Sequence, residues 1–410
     1  MRPHSLSLLV VFACVGSQPA LAQVRPGIEV LMSDSIGVIA GKRVALLTNQ
    51  TGVDRLGRRD IDLLRGTPGV RLVVILSPEH GPRGTEDRPG LPDGFDVASG
   101  LPIYSMYGGT PLSQIAALDS VDLVLVDLQD VGARYYSYPT TAVLLLQEAA
   151  RRGKPLVVLD RPNPIGGVAV QGNVVTSTRR PERVGDFLPV AMRHGMTLGE
   201  LVRLANDVMG IHARLTVVPA LGWHRGMYYD DTGLPWVRPS PNLRDLESAT
   251  HYPGTCLFEG TNLSVGRGTT YEFQVVGAPW LDTAAVLSRL RLWGPWAQGA
   301  LTGVEVSGVV FTPRDPTDHK YDDVEVRGIR LRATDRRRYD PTRAAILMLG
   351  AIRAAHPDSL QFEATRFDQL AGGSELRRAI LAPRVGEAVW GAWEGRLERF
   401  RLQRAKYLLY

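Results

Sequence analysis

The chain has 410 residues, 47 Lys and Arg against 42 Asp and Glu, a formal charge of +5 and 44% hydrophobic residues. That balance excludes a disordered polymer, a collagen-like repeat and a small disulfide framework, and the length suits two to three domains, each with its own core. The basic residues form no Lys/Arg block, so nucleic acid is not an expected partner, whereas weak attraction to an acidic polymer such as a cell wall is allowed.

Arg2 and His4 make a short basic head, Leu6 to Val15 an apolar stretch, and Ala20-Leu21-Ala22 a small-residue cleavage site. This is the order of a secretory signal peptide over residues 1–22, removed near Ala22, with a periplasmic or extracellular destination. The apolar run is about half of the roughly 20 residues a spanning helix needs, so no membrane span is expected. Cys14 would offer a lipid attachment point, but it lies inside the apolar stretch behind the bulky Phe12. The mature chain would keep one cysteine, Cys256, and no internal disulfide.

No internal repeat is present. Arg43–Leu47, Arg71–Leu76, Leu123–Val126, Leu156–Leu159 and Leu215–Val218 are short apolar runs, as expected of strands covered on both faces. Between them Asp60–Arg65, Thr140–Arg152 and Thr197–Met209 read as helices, the second ended by Gly153 and the third opened by a Thr197-Leu-Gly-Glu200 capping box. Such alternation predicts an α/β domain with a mostly parallel sheet and right-handed crossovers. From Pro239 to Val265 the text is irregular. Beyond it Val304–Phe311 and Val324–Leu331 alternate as half-exposed strands, and Pro341–Ala355 and Leu376–Trp393 read as helices, so a second, α+β domain should start near residue 250.

An open parallel sheet binds ligands beyond the carboxyl ends of its strands. The segments there are Thr48-Asn49-Gln50-Thr51-Gly52, Ser77-Pro78-Glu79-His80-Gly81, Asp127-Leu128-Gln129-Asp130 running on to Arg134-Tyr135-Tyr136, and Asp160-Arg161-Pro162-Asn163-Pro164. All are polar, which points to one polar pocket. Glu79 is the sharpest candidate, because Pro78 and Gly81 imply a tight loop and a carboxyl near an apolar strand end can act as a general acid. The same spacing allows Glu79 to pair with Arg83 or Arg161 and merely brace the loop. Asp127 closes a strand and should point into the crevice; Asp130 either joins it or caps the next turn. Asp160-Arg161 is equally readable as a self-contained ion pair.

Several chemistries fail on inspection. Gly266-Arg267-Gly268 continues to Tyr271 rather than a third glycine, no phosphate loop exists, and Asn262-Leu-Ser264-Val-Gly266 lacks the leading glycine of a nucleophile elbow. The histidines never pair at metal-ligand spacing, so neither a metal nor a cofactor is expected. His194 reads as a hydrogen-bonded loop residue. Trp223, Tyr228, Tyr229 and Trp236 could stack on a sugar, although a packing cluster is the simpler reading.

The strings Thr48-Asn-Gln-Thr-Gly52, Pro78-Glu-His-Gly81, Asp127-Leu-Gln-Asp-Val-Gly132, Leu159-Asp-Arg-Pro-Asn-Pro-Ile-Gly-Gly167, Arg193-His-Gly-Met-Thr197, Pro239-Ser-Pro-Asn242, Tyr252-Pro-Gly-Thr-Cys-Leu-Phe-Glu-Gly-Thr-Asn262, Gly266-Arg-Gly-Thr-Thr270 and Arg404-Ala-Lys-Tyr-Leu-Leu-Tyr410 closely resemble the exo-β-N-acetylmuramidase (NamZ-type) family, glycoside hydrolase family 171, formerly a domain of unknown function. The match runs in order from about Gly27 to Tyr410. It implies a Rossmann-like N-terminal catalytic domain over 27–248, a smaller α+β domain over 249–410 that contributes to the cleft, and release of N-acetylmuramic acid from the non-reducing ends of peptidoglycan fragments or muropeptides. The family's catalytic glutamate falls on Glu79. Residues 84–101 lack the helical text expected of a cleft-lining element, which leaves the preferred substrate length open.

Glycoside hydrolysis usually needs two carboxyl groups. With Glu79 as the acid, Asp127, Asp130 and Glu259 qualify as partners, as does the substrate's own 2-acetamido group. A lactyl carboxylate calls for a bidentate arginine, for which Arg134, Arg161 and Arg267 are candidates. Asn49, Asn163, Asn242 and Asn262 suit hydroxyl and acetamido groups, with Gln50, His80, Tyr135 and His194 beside them. The alternatives are a secreted sugar- or muropeptide-binding protein without turnover and, more remotely, a wall-directed amidase or esterase.

Overall fold

The structure, a computed structural model, describes residues 23–175, 187–382 and 388–410. The expected signal peptide, with Cys14, lies outside the described residues. In chain order the first half runs α1 (Gly27–Asp34), β1 (Arg43–Thr48), α2 (Asp60–Arg65), β2 (Arg71–Ser77), β3 (Gly94–Phe95), β4 (Pro102–Ser105), β5 (Leu123–Asp127), α3 (Ser137–Arg151), β6 (Leu156–Leu159), β7 (Gln171–Val174), β8 (Ala191–Arg193), α4 (Leu198–Val208) and β9 (Leu215–Val218). The second half runs α5 (Leu246–Thr255), β10 (Val275–Ala278), α6 (Thr283–Leu292), α7 (Gly294–Ala300), β11 (Val304–Phe311), β12 (Val326–Ala333), α8 (Pro341–Ala355), α9 (Ala364–Ala371), α10 (Glu375–Leu381) and α11 (Ala388–Arg404).

Seven strands form one sheet in the order β3-β4-β2-β1-β5-β6-β9, and every pairing is parallel except that of the short β3. The chain winds outward from β1 through β2 to β4, then returns across β1 to β5 and winds outward again to β9. That is the doubly wound order, with its switch point between β1 and β5. The apolar strands alternate as a pleat requires: Val44 and Leu46 enter one core with Ile28, Leu31, Leu64 and Ile75, while Ala45 and Leu47 enter the other with Val74, Leu76 and Val126. The second core continues through α3 and α4 into α5, α8 and the antiparallel sheet β10-β12-β11. The two halves therefore share one apolar interior, which makes their mutual orientation rigid.

Some expected elements shift. The strand placed at Val324–Leu331 lies two residues later, where Val326 to Ala333 pair along the whole of β11. The helix expected across Leu376–Trp393 ends at Leu381, two residues before Pro383, and a second begins at Ala388; a residue preceding proline is disfavoured in helical geometry. β9 is an edge strand with only Val218 buried, rather than a strand covered on both faces.

The last residues latch the C-terminal half onto the parallel sheet. Arg404 donates to the carbonyls of Gly167 and Gly195 at 3.1 and 2.6 Å, and the Tyr410 hydroxyl donates to Asp160 at 2.9 Å. Asp160 is thus spent on Tyr410, Thr197, the Gly199 amide at the start of α4 and the Arg161 backbone amide, while the Arg161 guanidinium goes to Asp127. The capping box is present, and its Glu200 is fully buried against Arg225 at 2.8 Å, with the Leu409 amide donating to it at 2.8 Å.

Burial, opposed by Arg225 and the Leu409 amide, pushes the Glu200 carboxyl up from 4.5 to about 7. An acid raised in the folded state ionises first in the unfolded chain, so its contribution to stability falls as pH rises across that interval and levels off above it. Glu200→Gln should flatten this decline, up to about 3 kcal/mol at 1.36 kcal/mol per pH unit. Urea unfolding on either side of the interval measures it.

Candidate active site

The carboxyl edge of the sheet divides into a closed centre and an open flank. At the switch point the Asp127 carboxylate, fully buried, receives Arg161 Nε at 2.5 Å and Nη2 at 2.9 Å. Arg161 also donates to the Val53 carbonyl at 2.9 Å. Asp60, at the start of α2, hydrogen-bonds Thr48 in the same cluster, and burial followed by the Asp127 charge pushes its carboxyl well above the usual range. Burial likewise raises Asp127, against the pull of Arg161. The position where a doubly wound sheet usually takes a ligand is filled by its own ion pair.

The open flank follows β2. Past Pro78 the chain places Glu79 half-buried, and then His80 and Gly81 adopt φ of 69° and 73°. Two successive left-handed residues turn the loop back sharply. The His80 conformation costs roughly 1 kcal/mol and is held by its Nδ1, 2.7 Å from the Glu86 carbonyl. Ser137, the first residue of α3, donates to Glu79 Oε2 at 2.5 Å. The Tyr107 hydroxyl also hydrogen-bonds this carboxylate, and its pKa is pushed up to about 12, first by burial and then by the Glu79 charge. Tyr138 donates to the Pro239 carbonyl at 2.7 Å and accepts Asn49 Nδ2 at 2.8 Å, which ties the 239–242 segment to the same rim. Among the described contacts Glu79 pairs with neither Arg83 nor Arg161.

The second half closes over this flank. Asp87, from the loop after Glu79, accepts Asn242 Nδ2 at 2.6 Å and Arg267 Nη1 at 3.0 Å. Burial works against its charge, but hydrogen bonds from Thr317 and Asn242 and the Arg267 guanidinium hold it below the usual carboxylate range. Arg267 continues to Glu259 at 2.6 Å, and Arg366 of α9 reaches Glu259 at 3.2 Å. Burial would raise Glu259; Arg267 and Arg366 more than offset it and keep it ionised. Arg366 remains 46% exposed and lies near enough to Tyr107 to act on its ionisation, as Glu79 and Asp87 do.

Of the residues singled out above, Glu79, His80, Asn49, Asn242, Glu259 and Arg267 gather here, and Gln50 borders them by donating to the Arg238 carbonyl at 2.8 Å. The others face inward. Arg134 is buried and donates to carbonyls of Asn173, Val190 and Leu370, and Tyr135 donates to the Pro253 carbonyl. Asn163 spans the Met196 carbonyl and the Ile165 amide, while Asn262 is held by Ser359 and Gln361. His194 accepts the Met196 amide on Nδ1, so its Nε2 carries the proton and faces Asp130 Oδ2 at 3.4 Å. Trp223 packs edge-on against Tyr410 and Tyr229 against Trp236, so these rings are packing residues. Tyr107, Ser137, Asp87 and Arg366 carried no sequence signal; each comes from a different segment. Among the described residues no three His, Cys, Asp or Glu side chains are placed to hold a metal ion, and no helix is long and apolar enough to cross a membrane.

A half-buried carboxyl between hydroxyl donors, with an exposed arginine close by, is able to exchange a proton beside a polar ligand. Residues 44–247 match the family described as exo-β-N-acetylmuramidase NamZ, N-terminal, and residues 250–410 its C-terminal counterpart. The peptidoglycan β-N-acetylmuramidase NamZ of Bacillus subtilis (strain 168) is 36% identical over 95% of this chain and 92% of its own. Two crystal structures of DUF1343 family proteins from Bacteroides fragilis NCTC 9343 superpose with TM-scores of 0.83 and 0.75, at 29% and 28% identity, each over 95% of this chain and 99% of the other. The chain belongs to the exo-β-N-acetylmuramidase NamZ family and is a glycosidase.

Asp127→Asn leaves Arg161 buried without its carboxylate. It should lower the unfolding free energy by about 3–5 kcal/mol, read as a fall in the denaturant midpoint.

Proposed function

We propose that this glycosidase removes N-acetylmuramic acid from the non-reducing ends of peptidoglycan fragments, with Glu79 as the general acid that protonates the leaving oxygen. The observation that carries the reading is the setting of Glu79: its carboxyl is held by Ser137 and Tyr107 beside a cluster of arginines. Both hydroxyls can donate to the carboxylate and accept from the acid, so they keep the group aimed through a cycle of proton transfer. An oxocarbenium-like transition state needs negative charge nearby, and Asp87, kept ionised by Thr317, Arg267 and Asn242, is the carboxylate assigned that role in this reading. Asp127 is fully buried in its pair with Arg161, Asp130 is buried against His194, and Glu259 is held by two arginines, so all three are less open to a sugar than Asp87. Arg366, held on one side by Glu259 and 46% exposed, is the receptor proposed for the lactyl carboxylate, with Asn242 at the same rim for a hydroxyl or acetamido group, while Asn49 is spent on Tyr138 and Thr51.

The domain division proposed is 27–248 and 249–410, the second supplying Arg267 and Arg366. Export through the leader at residues 1–22 would bring the enzyme to its polymer.

Glu79→Gln should lower kcat on a chromogenic β-muramide by roughly 10²–10⁴-fold with little change in KM. Unchanged turnover would remove Glu79 from the mechanism. Arg366→Met should cost about 10–100-fold in kcat/KM on the muramide, as expected of a lost charged hydrogen bond, and leave the corresponding glucosaminide, which lacks the lactyl group, unaffected. Equal losses on both substrates would show that Arg366 does not read the lactyl group.

A further inference from the structure

Two strings that the candidate active site leaves unused, Asn163-Pro-Ile-Gly-Gly167 and Arg193-His-Gly-Met-Thr197, converge beyond β6 and β9. There Ile165, Gly166 and Arg193 border a cavity of about 150 Å³ together with Arg225, Tyr228 and, from the C-terminal half, Arg337. At roughly 4.8 Å per strand, β6 and β9 lie about 14–19 Å across the sheet from β2 and Glu79. The cavity is separate from the site described above.

Three guanidinium groups border it: Arg193, Arg225 and Arg337. Arg225 is matched by Glu200 at 2.8 Å. Arg193 is 2% exposed and donates only to neutral acceptors, the Gln171 side chain at 3.0 Å, the Ile165 carbonyl and the Tyr228 hydroxyl at 3.1 Å. Neither Arg193 nor Arg337 has a carboxylate partner among the described residues, and the Nε groups of Arg193 and Arg225 have no acceptor. The surroundings add positive charge. Arg404 lies behind Gly167 and Gly195, and Arg336 sits over the Tyr228 ring at 4.5 Å with Asp230 as its partner. Burial, and then the neighbouring Arg225, push Arg404 down to about 10.

An arginine cannot shed its proton, so a buried one without a counter-charge is expensive, at several kcal/mol. Arg193 answers part of that cost with carbonyl and hydroxyl dipoles, while the positive excess at the cavity stays unanswered. A cavity of this size is well above what one water needs and admits a small oxyanion with its hydration. Guanidinium forks match such oxygens in pairs.

We propose that the cavity between Arg193, Arg225 and Arg337 is an oxyanion-binding site, distinct from the catalytic one, that takes a tetrahedral anion such as phosphate or a short carboxylate. Because Arg337 comes from the C-terminal half and Arg193 from the parallel-sheet half, a bound anion bridges the two.

Calorimetric titration of the full chain with inorganic phosphate and, separately, with acetate, at constant ionic strength in chloride, tests this. Saturable binding of one anion per chain is expected for at least one of the two, and whichever binds tighter decides between tetrahedral and planar chemistry. Arg337→Met, an exposed position, should weaken that binding at least 10-fold, whereas Arg366→Met at the catalytic flank should leave it unchanged. Absence of saturable binding by both anions would overturn the proposal. So would equal affinity in Arg337→Met, or a loss confined to Arg366→Met.

Discussion

The guanidinium of Arg267 is the contact on which the geometry of this enzyme turns. It meets Glu259 at 2.6 Å and Asp87 at 3.0 Å, and so ties the second half of the chain to the loop that follows Glu79. Burial opposes the charge of both carboxylates, and Arg267 helps to offset it, together with Thr317 and Asn242 at Asp87 and with Arg366 at Glu259. A charge-assisted fork in a partly desolvated interface is worth more than a surface pair and fixes angle as well as distance. The apolar core shared by the two halves supplies the rigidity; Arg267 supplies the register.

The distribution of buried charge separates scaffold from site. Asp127 and Arg161 satisfy each other at the switch point with Asp60 held by Thr48 beside them, Asp160 caps α4, and Glu200 holds Arg225. Glu79 has hydroxyl partners instead of a cation, and Arg366 keeps much of its surface open. A carboxyl pinned by neutral donors keeps the freedom to exchange a proton, whereas one clamped by a guanidinium does not. The open flank of the sheet, not its switch point, therefore has the composition of a reactive site.

Much of the fold was legible from pattern. Leu156–Leu159, Leu215–Val218, Asp60–Arg65, Val304–Phe311 and Pro341–Ala355 lie where their periodicity places them, because burial on two faces, one face or a helical stripe leaves distinct repeats. β3, β4, β7, β8 and β10 lie outside the expected elements: each has four residues or fewer, too short to show a period of its own. Glu79 was visible because Pro78 and Gly81 bracket it. Asp127 ends a strand, the position from which an open parallel sheet contacts a ligand. Its neighbour in space, Arg161, follows β6, the adjacent strand, 34 residues further along the chain, and no local spacing reveals that the two are locked together.

The alternation of strands and helices, the mostly parallel α/β class and the tight turn at Glu79 were determined by the sequence alone, since periodicity, caps and turn residues act over a few neighbours. Which polar residues face one another was decided only by tertiary structure. Tyr107, Ser137, Asp87 and Arg366 come from four separate segments, and Arg193 and Arg337 from opposite halves of the chain. Electrostatic pairing depends on separation in space and on water exclusion, and both are properties of the packed molecule.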